Sequence, residues 1–292
     1  MITTPVTYAF NYSHTDEVIR PYLFHAMAES GIKNIVLSID LMASILKDGN
    51  LVAALMAETA AAGLKFVDSH AQFGGFYDLR TVNDSSLEHV VHLQQLQIAI
   101  AAEMGVTSIT IHPGADALNP EIPLEKQTEN VIRTLDRILP VAELLGVTVC
   151  IENSWSRLSR PNNLLYIKSK FPTDALGFCY DAGHANVLSS KAKQYETCSA
   201  RDRWAPYGLE PEWEDHALEK MLPDIVNCHL HDNDAKSDQH KLPGEGTVDW
   251  PHVMHGLAKA PRLQCIQCEV GAIKHTISFS VLRRKFDELV NL

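Results

Sequence analysis

The sequence predicts an α/β protein: a single (β/α)8 barrel spanning residues 1–292, with an irregular insertion at 186–215. Three observations predict it. Eight short runs rich in β-branched and aromatic residues alternate with helical patterns. Glycines stand where a helix must turn back toward the next strand. Residues able to bind metal or move protons repeatedly close the strand-like runs, and a parallel barrel gathers its chemistry at those ends.

The runs are VTYAF (6–10), NIVLSID (34–40), LKFVDSH (64–70), VTSITIH (106–112), VTVCIE (147–152), LGFCYD (176–181), DIVNCHLH (224–231) and LQCIQCE (263–269). Each is short and bounded by Gly, Pro, Asp or Asn. Helical patterns fill the intervals. LMASILKDGNLVAALMAETAAA (41–62) and SSLEHVVHLQQLQIAIAAEM (85–104) are two of them. From Glu125 to Leu145, Val131, Leu135, Ile138, Leu139 and Ala142 recur at helical spacing. Gly31, Gly63, Gly105 and Gly146 each separate a helix from its strand, where a left-handed backbone is needed. Residues 186–215 depart from this rhythm: they are polar and irregular, and carry two tryptophans. Following the sixth strand, they belong on the catalytic face as a lid, a subunit contact or a variable surface insertion.

Composition agrees with this architecture. At 292 residues, 46% apolar and 7% aromatic, the chain suits a soluble fold with a sizeable core; barrels of about 250 residues are routine. Lys+Arg number 25 against 36 Asp+Glu, a net charge of −11 that counts against nucleic acid as a partner. No apolar run reaches the roughly 18 residues of a membrane span. MITTPVTYAF lacks a basic-then-apolar signal pattern, so cytoplasm is the expected compartment. Cys150, Cys179, Cys228, Cys265 and Cys268 fall in predicted strands, with Cys198 outside them. Buried thiols are the expectation, because the lone pair Cys265/Cys268 has no second CxxC to complete a zinc site.

Nine residues able to bind metal lie at or near strand ends: His70, His112, Glu152, Asp181, His184, His229, Asp238, His240 and Glu269. A carboxylate or imidazole closing a buried strand is costly to place unless something there needs it. Adjacent strands lie about 5 Å apart, so the last side chains of β-strands 5 to 8 can converge on one cation. Two glutamates, an aspartate and an imidazole form an oxygen/nitrogen donor set suited to Mn, Mg, Co, Fe or Zn. His229 and His231 are two apart and face one side; one binds metal while the other holds substrate or orients a ligand. Asp181 and His184 share a rim across a strand-to-helix turn. Asp238 and His240 form an Asp-x-His pair, followed by the turn Gly244-Glu245-Gly246, whose backbone could approach a ligand. His14, His25, His89, His92, His216, His252, His255 and His275 are expected at the surface.

The stretches HAQFGGFYDL, HPG, IEN, YDAGHAN, HLHDND, DQH, KLPGEG, TVDW and CEVG, over roughly residues 64–271, follow the order seen in the xylose isomerase-like TIM-barrel superfamily. The chain resembles most its sugar phosphate isomerase/epimerase group, and endonuclease IV is a relative. The resemblance implies a metal held by Glu152, Asp181, His229 and Glu269, with Glu152 and Glu269 as acid and base. His70, His112, His184, His231 and His240 would bind a small carbohydrate substrate. The activity so implied is isomerisation or epimerisation of a sugar or sugar-like polyol through an enediolate. A dehydratase or lyase would use the same geometry. Against endonuclease IV, all nine residues match its trinuclear-site ligands, with His70, His112, His184, Asp238 and His240 as the additional ones. That match implies phosphodiester hydrolysis at abasic sites as the alternative activity. A homo-oligomer is compatible with either, and a non-catalytic metal-binding barrel is the third class.

Overall fold

The computed structural model describes residues 2–13, 15–81 and 83–292. Eight parallel strands close a barrel in sequence order: β1 (Val6–Tyr8), β2 (Asn34–Leu37), β3 (Lys65–His70), β4 (Ser108–Ile111), β5 (Thr148–Glu152), β6 (Leu176–Asp181), β7 (Ile225–Leu230) and β8 (Cys265–Cys268). Residues Val6, Thr7 and Tyr8 pair with Ile266, Gln267 and Cys268, which seals the ring. Helices cover its outside. The strands β4, β6, β7 and β8 are buried along their whole length, as expected when both faces of a parallel sheet are covered.

Several strands stop short of the runs read from sequence. β4 ends at Ile111, β7 at Leu230 and β8 at Cys268, so His112, His231 and Glu269 stand one residue beyond. Freed from the pleat, these three can turn over the barrel mouth. Gly31, Gly63, Gly105 and Gly146 all adopt positive φ at helix ends, between 68° and 89°, and the first turn after each helix therefore closes without a Cβ clash.

Two readings need correction. The pattern over 41–62 is not one helix: Ile39–Lys47 and Leu51–Ala62 are separated at Asp48, where the Oδ1 atom accepts from the Asn50 amide at 3.0 Å. Short polar side chains compete for backbone hydrogen bonds in this way, and they override a continuous apolar stripe. Residues 186–215 are not irregular throughout. They continue the helix Ala182–Leu188 and form a further helix, Ser199–Trp204. Val187, Leu188, Ala192, Cys198, Ala200 and Ala235 make a small core of their own. All six cysteines are free and buried, as expected. Of the histidines assigned to the surface, seven lie in the described residues and six are exposed; His275 is half-buried and bonds the Gln239 carbonyl at 2.9 Å. His14 lies outside the described residues.

Candidate metal centre

Register and capping bring the strand ends together. Asp181 of β6 pairs with His229 of β7. Asp181 also caps the helix Ala182–Leu188: its Oδ1 accepts from the His184 amide at 2.6 Å, which satisfies one orphan amide of the first turn. Its Oδ2 is thereby left facing imidazoles, 3.2 Å from His231 Nε2, 3.6 Å from His184 Nδ1 and 3.9 Å from His229 Nδ1. His229 Nδ1 also lies 2.7 Å from Glu152 Oε1 and 3.3 Å from Glu269 Oε2. Its Nε2 lies 3.3 Å from the Thr110 hydroxyl, which fixes the ring inside the barrel. Glu152 Oε2 contacts His112 Nε2 and stands 3.8 Å from His70 Nε2.

Ligand atoms of Glu152, Asp181, His229 and Glu269 all lie within 4.8 Å of one another. Three further sets meet the same test: His70, Glu152 and His229; Asp181, His184 and His231; His231, His240 and Glu269. His112 and Asp238 fall outside these sets but touch them. Asp238 reaches His240 Nε2 at 3.0 Å and His184 Nε2 at 3.6 Å. All nine candidate ligands and His231 therefore converge on one end of the barrel.

The donors fit a divalent cation. Both oxygens of Glu152, His229 Nδ1, His231 Nδ1 and Asp238 Oδ1 are buried with no partner in hydrogen-bond geometry, an arrangement native proteins avoid unless a ligand completes it. Electrostatics point the same way. Burial alone would raise the carboxyls of Glu152 and Glu269, yet both are held well below the usual range, Glu152 by His229 and His112 and Glu269 by His229 and His240. Burial would lower His229, but the Cys179 thiol, Glu269 and Glu152 push it up. Burial likewise opposes His240, which Asp238 and Glu269 push up to about 9. The cluster thus balances ionised carboxylates with imidazole protons, and a divalent ion would take the place of those protons as it binds.

Residues not singled out from the sequence hold the ligands in place. Asn153 accepts from His184 Nδ1 through its carbonyl at 2.9 Å and brackets Asp181 with its side-chain amide, donating to the Asp181 carbonyl and accepting from its amide. Asp232 accepts from the Gly244 amide at 2.8 Å, the Val248 amide at 3.2 Å and Trp250 Nε1 at 2.9 Å. The Gly244–Gly246 turn therefore wraps Asp232 rather than a ligand: a Cβ at Gly246 would collide with Asp232 and the Asn233 carbonyl. A Cβ at Gly183 would overlap the His231 ring. Phe73 stacks on His112 at 4.3 Å, and Trp155 meets His184 edge-on at 4.9 Å. Two cavities flank the cluster. One of about 260 Å³ touches Glu152, His112, His184 and Asp238; another of about 460 Å³ touches Glu269, His70 and His240.

A family model described as xylose isomerase-like TIM barrel matches residues 22–276. The chain belongs to this family. An uncharacterized protein of Methanocaldococcus jannaschii is 24% identical over 198 residues, covering 65% of this chain and 60% of the relative, so the match spans less than two thirds of that protein. Among solved structures, a D-tagatose 3-epimerase-like protein superposes with a TM-score of 0.73 at 19% identity, over 98% of each chain. The IolI protein with a bound zinc atom superposes with a TM-score of 0.70 at 13% identity, again over 98% of each. Likeness at these identities establishes the shared barrel. No helix among the described residues is long and apolar enough to cross a membrane.

Proposed function

We propose that this family member is a divalent-metal-dependent isomerase or epimerase of a sugar or sugar-like polyol. The observation that carries the reading is the placement of its two glutamates. Glu152 and Glu269 belong to one four-residue ligand set, yet Glu152 borders the smaller cavity and Glu269 the larger. Epimerisation needs a base on one face of a carbon and an acid on the other, and two carboxyls approaching from different cavities supply that pair when one is ionised and the other carries a proton. A D-tagatose 3-epimerase-like protein and a zinc-binding barrel among the structural neighbours support the same reading.

A metal held by Glu152, Asp181, His229 and Glu269 would polarise a substrate carbonyl and its neighbouring hydroxyl. One glutamate removes the proton on the carbon beside the carbonyl. The other, carrying a proton at that stage, would return it to the enediolate from the opposite face and be left ionised, so the pair ends with its protonation states exchanged. His70, His112, His184, His231 and His240 ring the cluster and can donate to substrate oxygens. The chain's own histidine–carboxylate contacts hold both carboxyls below the usual range, so either can serve as the base.

The test is deuterium uptake. Protein loaded with Mn(II) or Co(II) is incubated with a panel of ketoses in D2O, and label at the carbon beside the carbonyl is followed by NMR. Uptake should appear with the true substrate and fall at least about a hundredfold in Glu152→Gln and Glu269→Gln, the scale of losing a general base. Near-wild-type uptake in either variant would remove that glutamate from the acid/base pair.

A second reading, metal-dependent phosphodiester hydrolysis at abasic sites, draws on the overlap of three ligand sets with the main one. Clustered metals activate water and stabilise a leaving oxygen. Cleavage of abasic-site DNA with no label in any ketose would favour it.

A further inference from the structure

The larger cavity has a character that a plain polyol does not match. It opens between the ends of β8, β1 and β2 and measures about 460 Å³, within the range of small-molecule sites. Phe10, Val36, Ile39, Val270, Ala272 and Ile273 line it. Its inner wall is the histidine–carboxylate cluster itself, through His70, His240 and Glu269. Two buried polar atoms in the lining, Gln267 Oε1 and Ser38 Oγ, have no partner in hydrogen-bond geometry. Asp40 is engaged by the Tyr12 amide, and Lys274 donates to the Gln239 carbonyl at 3.2 Å. Away from the cluster the remaining polar side chains of the lining are Asn11 and the partly engaged Asp40 and Lys274, so the stretch formed by Phe10, Val36, Ile39, Val270, Ala272 and Ile273 offers a hydroxyl no side-chain partner, and each hydroxyl buried there unpaired opposes binding.

We propose that the substrate is a carbohydrate carrying an apolar alkyl or aryl substituent, seated in this cavity against Phe10, Ile39, Val270 and Ile273 while its hydroxy-ketone end faces Glu269. The inference rests on the sugar isomerase/epimerase reading of the site and narrows its substrate class. Gln267 and Ser38 lie where a few hydroxyls or an ether oxygen next to the cluster would pair with them. The substituent continues outward along the apolar lining toward the exposed Ile273.

Isothermal titration calorimetry on the full chain loaded with Mn(II) tests this with three ketoses sharing one reacting end: D-fructose, 6-deoxy-D-fructose and 6-O-benzyl-D-fructose. The benzyl ether should bind at least about tenfold more tightly than D-fructose, the scale of burying an aromatic ring, with the deoxy sugar between them. The double variant Ile39→Gln/Ile273→Gln should lose that advantage and keep the affinity for D-fructose. Ile273 is 62% exposed, so Ile273→Gln alone serves as the variant with no packing to lose, and it should lower the advantage in the same direction. Equal affinities for the three ketoses in the wild type overturn the inference and leave the ketose reading standing. An advantage undiminished in both variants places the benzyl group elsewhere and also overturns it. Failure of any ketose to bind the metal-loaded protein overturns the reading of the site, and this subsite with it.

Discussion

His240 illustrates how individual side chains are fixed at the barrel mouth. Its φ of 52° lies in the left-handed region, a conformation costly for a residue with a Cβ and concentrated at functional sites. Three contacts hold it there: Nδ1 bonds the Glu269 carbonyl at 2.7 Å, Nε2 faces Asp238 at 3.0 Å, and the ring stacks on His231 at 3.9 Å. The adjacent Lys241 exchanges backbone hydrogen bonds with Asp232, so the carboxylate-centred turn positions the loop that carries His240. The nine ligand-type residues were legible in the sequence because each has metal-binding chemistry and most end an apolar run. Asp232 was not, since its partners Gly244, Val248 and Trp250 lie 12 to 18 positions away and nothing in HLHDND marks which of its two aspartates serves the turn. For one essential metal on Glu152, Asp181, His229 and Glu269, His240→Ala should leave bound metal per chain unchanged by mass spectrometry and weaken ketose binding. Loss of one metal equivalent would assign His240 as a direct ligand and favour the polynuclear reading.

At the scale of elements, period and glycine placement located every strand, whereas two boundaries depended on competition that periodicity does not register. Asp48 breaks a continuous apolar stripe by bonding the backbone locally. The segment after β6 reads as polar, yet Trp204 within it is among the largest fully buried side chains. Its Nε1 donates to the Trp155 carbonyl at 2.9 Å, and the guanidinium of Arg160 lies 5.9 Å from its ring. Trp155 in turn touches His184, so the segment's packing reaches the histidine–carboxylate cluster through two tryptophans. Trp204→Ala should lower the free energy of unfolding in urea by about 3 kcal/mol or more, as expected for an emptied tryptophan site. Trp204→Phe keeps most of the volume and loses the indole hydrogen bond, so its effect should be smaller. A loss under about 1 kcal/mol in the alanine variant would mean that the segment is held by its other contacts and that Trp204 does not couple it to the barrel.

For the whole molecule, the barrel concentrates unpaired polarity at one end of an otherwise apolar interior. Below the ligand cluster, Asn227 donates to the Thr110 hydroxyl at 2.9 Å, and Thr7 and Cys265 both donate to Asp68 at 3.4 Å. Burial pushes the Asp68 carboxyl up to about 6. Above them stand the orphaned atoms of Glu152, His229 and Asp238. Carboxylates and imidazoles packed this closely compensate one another only through shared protons, so the closed ring is a poorer solution without a cation than with one. Ligand binding to the folded state alone raises stability by mass action, about 2.7 kcal/mol at a hundred times Kd. With roughly 2 °C per kcal/mol for a chain of this size, chelation followed by titration with Mn(II), Co(II) or Zn(II) should raise the melting temperature by about 5 °C at that excess. The apo protein should stay folded in far-UV circular dichroism, because the histidine–carboxylate contacts still pair the charges. A melting temperature unmoved by all three ions, with no metal retained after dialysis, would show that these nine residues form a proton-compensated cluster rather than a metal centre.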